Sequence, residues 1–323
     1  MVTVAYAFAH FAVDLGCAFA VFSRSFGPWE LLLYDLFAFA MQMPLGLLAD
    51  VLKKNELFAL LGTLLVGVCC LFPGQGSVFV CLLGLGNGLF HIGGGLDVMG
   101  RYPERAGPLG AFVAPGALGV YLGTVLGKGG QGAFPVLAAL LWSLIWMLLS
   151  CKPSAPVPKG FVELPKKDAL LPGILLFLVV VLRSVGGAVE LPWKTGGLAL
   201  ASVCAVVFGK TLGGILSDRL GPLPVSICSL CLAAVLFCFG DHPASGLMAL
   251  LLFNMTMPIT LFALSKAMPY TKGFAFGLLT FALFLGFLPG SFGMPSISSV
   301  GMMGVCVLSA LLLLPALKAG ERL

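Results

Sequence analysis

Two stretches, GLLADVLKKN at residues 46–55 and GGILSDRLGP at residues 213–222, carry one pattern: Gly, any residue, Leu, a small residue, Asp. Gly46 aligns with Gly214 and Asp50 with Asp218, 168 residues apart, about half of the 323-residue chain. Each stretch closes an apolar run and opens onto basic residues. A repeat of this period describes a chain built from two similar halves.

The flanking runs say what the halves are made of. The chain is 59% hydrophobic and 10% charged, against about 25% charged in an average soluble domain. Several uncharged runs reach 18 residues or more, which is the pattern of membrane-spanning helices. The first run has no basic leader, and His10 and Asp14 interrupt it, so it reads as a retained span and not a signal peptide. The spacing predicts spans at 3–22, 29–49, 57–73, 77–98, 107–127 and 132–150, then at 169–190, 195–217, 223–240, 244–265, 272–290 and 297–317. The expected architecture is an all-α membrane protein of twelve transmembrane helices in two six-helix lobes, residues 1–150 and 169–323. The polar linker CKPSAPVPKGFVELPKKD, residues 151–168, would join them on the cytoplasmic side.

The basic residues test this count. With both termini cytoplasmic, only Arg24, Lys128 and Lys194 fall in outer loops, and Arg183 and Lys210 fall inside spans. The other thirteen of the 18 Lys and Arg face the cytoplasm, as the positive-inside rule requires. The net charge of +5 is therefore a topological signal and not one for nucleic acid. The ten cysteines lie mostly in apolar runs, where they pack as small hydrophobes; Cys228 and Cys231 have C-x-x-C spacing but no second ligand pair.

The loop pattern resembles the cytoplasmic G-x-L-A-D-x-x-G-[RK] motif of the major facilitator superfamily. Gly214, Leu216, Asp218, Arg219 and Gly221 match it; in the first copy Val51 stands where Arg is usual and Lys53 where the second Gly is usual. The resemblance implies that Asp50 and Asp218, with Lys53 and Arg219 beside them, latch the inward-closed state. The bland alternative is that they only end helices. The His10-x-x-x-Asp14 pair, GNGLFHIGGG with Asn87 and His91, and LLYDLFAFAMQMPLGLLAD resemble the fosmidomycin-resistance type within that superfamily. GAFVAPGALGVYLGTVLGK resembles the family's antiporter motif, with Ala114-Pro115-Gly116 in place of Gly-Pro. Gly119, Gly123 and Gly127 form a stripe that admits a close neighbour, and Pro115 can kink the helix.

Charge inside a bilayer costs about 2.5–3.5 kcal/mol on insertion scales, so buried ionisable residues face an interior path. His10, Asp14, Asp35, Asn87, His91, Arg183 and Asn254 are the expected substrate-binding or proton-coupling residues. His10 and Asp14 share a helix face and suit proton coupling, or else only fasten helix 1. His91 reads equally as a relay and as a structural histidine. Asp35 faces the outward cavity or pairs with His10. Arg183 needs a carboxylate, carbonyls or an anionic substrate, with Asp14, Asp35 and Glu190 as possible partners. Lys210 either joins this centre or snorkels toward Asp218. Asn254, Thr256 and Pro258 add polarity and a kink to the tenth span. No metal site or cofactor is assigned: no local ligand spacing appears, and ligands from separate spans stay open.

The resulting expectation is a secondary transporter in a bacterial inner membrane, a monomer moving a small polar or anionic solute with protons, and efflux by antiport is favoured. A facilitative uptake carrier and a non-transporting sensor are the alternatives. A membrane-embedded enzyme is disfavoured, because G-x-S-x-G, H-E-x-x-H and a nucleotide-binding loop are all missing from the sequence.

Overall fold

The structure, a computed structural model, describes residues 1–150 and 167–320. The predicted linker therefore lies almost wholly outside the described residues. Twelve helical units follow in order: α1 Val2–Phe22, α2 Pro28–Leu52, α3 Asn55–Leu71, α4 Gly76–Arg101, α5 Gly107–Lys128, α6 Phe134–Ser150, α7 Lys167–Gly186, α8 Gly196–Leu220, α9 Pro222–Phe237, α10 Pro243–Ala267, α11 Lys272–Ser291 and α12 Ser299–Gly320. Nine are long and apolar enough to cross a membrane, and α3, α6 and α9 are shorter apolar helices. These three, at 1.5 Å per residue, reach about 25 Å of a hydrocarbon layer about 30 Å thick. Large apolar side chains such as Leu141, Trp142, Leu149, Leu232 and Val235 are exposed on the outer faces of α6 and α9, where lipid covers them. The protein is an integral multi-pass membrane protein.

Three helices are interrupted midway, each for a reason in its sequence. Pro44 cannot donate to the carbonyl four residues back, and α2 widens into a π-helical segment over Leu36–Ala40, with the Gln42 side chain donating to the Ala38 carbonyl at 2.6 Å. Pro115 breaks α5 after Val113. Pro258 has the same effect on α10, which is interrupted at Met255 between Asn254 and Thr256. The kinks expected at Pro115 and Pro258 are thus present, and the one in α2 went unread. Span ends also shift by a few residues: α4 runs on to Arg101, and the seventh span stops at Gly186 instead of 190.

Within the first half, α1 packs along α5 and α6 while α3 packs on α4; in the second, α7 and α9 pack on α12, and α8 on α10. The α5 glycine stripe works as expected, with a Cβ at Gly119 or Gly123 pointing at the Phe11 or Leu15 carbonyl of α1. Overpacking a tight contact costs about 1–3 kcal/mol. Gly123→Val is expected to lower the melting temperature in detergent, whereas Gly67→Val, with open space around it, leaves it unchanged. Equal melting of the two variants would contradict this contact.

Between the halves, α2 packs on α11 and α5 on α8, and here the sequence repeat acquires its physical meaning. The Asp50 carboxylate, buried at the end of α2, accepts from the backbone N–H of Gly273 at 2.8 Å and of Phe274 at 2.9 Å. The Asp218 carboxylate, at the end of α8, accepts from the N–H of Ala106 at 2.6 Å and of Gly107 at 3.0 Å. Each aspartate caps the first turn of a helix in the other half, where unpaired N–H groups and the helix dipole favour an anion. The repeated glycines permit the approach: a Cβ on Gly46 would run into the Gly273 backbone, and one on Gly214 into Ala106 and Gly107. Lys53 and Arg219 are exposed, and the basic partner of Asp218 is instead Arg105, at 3.5 Å. A third tie joins Lys266 Nζ to Glu104 Oε2 at 2.5 Å. Lys266 holds the Glu104 carboxyl below the usual carboxylate range, so this tie is complete at neutral pH and is lost only as pH falls through that lowered value.

Candidate functional site

The Asp50 and Asp218 caps tie the two halves of the chain together, and two cavities lie between the same halves. A central cavity of about 340 Å³ is lined by His10, Asp14, Gln42 and His91 from the first half and by Arg183, Lys210, Asn254 and Thr260 from the second. A wider cavity of about 720 Å³ is lined by Asp14, Tyr34, Asp35, Asn87 and His91, and by Phe22, Pro28, Gly290 and Ser291 near helix ends remote from the latches. Asp14, Phe39, His91 and Phe287 border both. The rings of Phe39 and Phe287, one from each half, meet edge-on with centroids 5.3 Å apart, a thin aromatic partition between the two spaces.

The polar centre is a trio from α1 and α4. His10 Nε2 lies 2.9 Å from His91 Nε2 and 3.2 Å from Asp14 Oδ2, and His91 Nε2 is 3.8 Å from Asp14 Oδ1. The other ring nitrogens fix the tautomers. His10 Nδ1 is 2.8 Å from the Phe112 carbonyl and His91 Nδ1 is 2.9 Å from the Asn87 carbonyl. A carbonyl only accepts, so both Nδ1 atoms carry hydrogen, and in neutral rings both Nε2 atoms present bare lone pairs. Two such lone pairs at hydrogen-bond distance need a cation between them. One added proton satisfies both, as an imidazolium donating to its neighbour, with the Asp14 carboxylate beside it. Asp14 is itself held by the Asn87 side-chain amide at 3.2 Å.

The break in α5 serves both sides of the cavity. Carbonyls in the last turn before a break lack helical partners. That of Phe112 takes His10, and that of Val113 takes the ammonium of Lys210, from α8, at 3.4 Å. Lys210 therefore points into the cavity and does not snorkel toward Asp218. Arg183, on α7, donates to Thr256 Oγ1 at 2.7 Å and to Thr260 Oγ1 at 3.2 Å. It is 91% buried by relative exposure (9% exposed), and its Nε lacks a hydrogen-bond partner. None of the carboxylates expected to pair with it lies within ion-pair distance among the described residues.

Comparison with solved structures fits this arrangement. A crystal structure of a major facilitator superfamily transporter, FucP, in the outward conformation superposes with a TM-score of 0.64 at 12% identity, covering 99% of this chain and 97% of that one. A crystal structure of a variant of the E. coli fucose:proton symporter FucP gives 0.65 at 12% identity, with the same coverage. The chain has the major facilitator fold. No family model matches the sequence, and no curated protein does.

On this major facilitator fold, the site residues read from sequence divide into groups. His10, Asp14 and His91 meet, with Asn87 behind them. Asp35 lines the wider cavity, so of its two readings the cavity is the one realised. Asn254 lines the central cavity while donating to the Leu250 carbonyl at 2.8 Å. The sequence reading missed Gln42, the hydroxyls of Thr256 and Thr260 as the seat of Arg183, and the α5 carbonyls. Only the prolines at 44, 115 and 258 signalled them, since each frees main-chain acceptors.

Proposed function

We propose that the protein is a secondary active transporter of the major facilitator superfamily that moves a small polar solute, of anionic class, by alternating access coupled to protons. The observation that carries this reading is the pairing across one cavity. A trio suited to share a proton faces the buried Arg183 and the half-buried Lys210, with no carboxylate within ion-pair distance of either among the described residues. An anionic group fits between those cations, because desolvated charge needs a counter-charge. Exchange of the solute against protons, with efflux as the direction, is supported by the antiporter-like fifth span. The fosmidomycin-resistance type is the finer assignment, resting on His10, Asp14 and the Asn87–His91 stretch. The two lobes, 1–150 and 169–323, rock about the linker at 151–168, with both termini in the cytoplasm of a bacterial cell and the monomer as the working unit. In this orientation the conformation is outward-facing, with the latches shut on the cytoplasmic side.

Proton flux into proteoliposomes carrying an internal pH dye, challenged with small anions, cations and neutral solutes, tests the reading. An anion is expected to drive a pH change in the wild type. Loss of a hydrogen-bonded charge worth about 1.5–3 kcal/mol in Arg183→Gln should raise the KM about 10- to 100-fold. Transport of a neutral solute, unaffected by that substitution, would rule out the anionic class.

A further inference from the structure

We infer that the His10–Asp14–His91 trio is also a binding site for a transition-metal dication of the zinc class, held by three protein ligands with its remaining position open to the central cavity. The inference rests on the reading of this cavity as the transport site and adds a second cation to it. His10 Nε2, His91 Nε2 and an Asp14 oxygen all lie within 4.8 Å of one another, on two helices that pack together. Zinc–nitrogen bonds of about 2.0–2.1 Å place two ligand atoms about 2.9–3.4 Å apart for angles of about 90–110°. The His10–His91 separation of 2.9 Å and the 3.2 Å from His10 to Asp14 Oδ2 match that range; His91 is 3.8 Å from the other oxygen, Oδ1, so a turn of the carboxylate about its own bond would bring one oxygen to both nitrogens.

The surroundings strengthen the assignment more than the distances do. A metal-binding histidine characteristically donates its other N–H to a carbonyl or carboxylate, which turns the ligating nitrogen toward the ion, and a ligating carboxylate is itself hydrogen-bonded. All three ligands are supported in this way: His10 by the Phe112 carbonyl, His91 by the Asn87 carbonyl, Asp14 by the Asn87 amide. The two bare nitrogens lie 2.9 Å apart. Imidazole nitrogen with a single carboxylate oxygen suits zinc, cobalt or nickel and not the hard cations. An entry path exists, because Asp14 and His91 also border the wider cavity together with Asp35. Arg183 and Lys210, across the central cavity, stand where an anion on the metal's open position would be received.

Cobalt(II) titration of the purified, tag-free full-length protein in detergent tests this, since four-coordinate cobalt absorbs strongly in the visible region and zinc displaces it silently. The wild type is expected to bind one cobalt per chain with four-coordinate bands that excess zinc abolishes. His91→Gln, which keeps the size and polarity of the side chain, should weaken binding by about 100-fold or more, since loss of a mere supporting partner already costs 10- to 100-fold. His242→Ala, an exposed histidine, should bind as the wild type does. Absence of the bands in wild type, or equal binding by His91→Gln, overturns the metal site. Solute-driven proton flux that persists in that case leaves the transport reading standing with the proton as the shared cation. Metal binding with no flux for any solute would do the reverse.

Discussion

Asp14→Asn is expected to abolish solute-driven proton movement while solute counterflow, which needs no net proton transfer, continues. The substitution keeps the shape of the side chain and its contact with Asn87 but removes the carboxylate that lies beside the two facing imidazoles. A proton shared by His10 and His91 then lacks its counter-charge in a buried site, where an unpaired charge is costly. The membrane potential acts on each translocated charge with about 2.3 kcal/mol per 100 mV, so a carrier that no longer takes up the proton loses that drive and only equilibrates its solute. Internal-dye fluorescence and radiolabel counterflow, run on the same proteoliposomes, separate the two. A wild-type ratio of protons to solute in the variant would remove Asp14 from the coupling role.

The second large effect is conformational. The double variant Asp50→Asn, Asp218→Asn should move the population from latched to unlatched. Each carboxylate accepts two backbone N–H bonds; an asparagine can accept with its oxygen only, and its amide nitrogen then opposes the second N–H. Hydrogen bonds to charged groups contribute about 1.5–3 kcal/mol each, and about 5.5 kcal/mol carries a two-state equilibrium from 1:99 to 99:1. Two weakened caps are of that order, while one is not, so each single variant should give a mixture. Spin labels at positions 51 and 270, both exposed at the latched end, should move apart. Labels at 29 and 292, exposed at the opposite end, should approach. A background that lacks Cys151 and the exposed Cys228, Cys231 and Cys238 keeps the labelling specific. Unchanged distances at both ends would show that the capping bonds do not set the equilibrium.

The parts of this molecule legible in its sequence are those written by local spacing. Uncharged runs marked the spans, and the Gly46/Gly214 and Asp50/Asp218 repeat marked the two aspartates that cap helices of the opposite half. His10 and Asp14, one turn apart, marked the polar centre. What escaped depends on long-range geometry or on main chain. His91 meets His10 only because α4 packs on α1. The receptors of Asp50 and Asp218 are amides, which carry no sequence signature beyond a glycine nearby. Lys210 was ambiguous because a lysine stem can reach either way along a helix, and the acceptor that decides its direction is a carbonyl freed by a proline in another span. Arg183 seemed to require a carboxylate, and among the described residues two threonine hydroxyls hold it instead.

The break in α5 has one more consequence. Of the carbonyls it frees, that of Phe112 is bonded within its own half of the chain, and that of Val113 is bonded to a lysine of the other. In the alternating-access cycle proposed above, the first bond would travel with its half of the chain and the second would have to part. The ammonium of Lys210 would then exchange partners inside the central cavity. On that proposal, a solute that supplies a replacement for the lost acceptor would lower the barrier to the swing, and slippage without cargo would be penalised at a single main-chain oxygen.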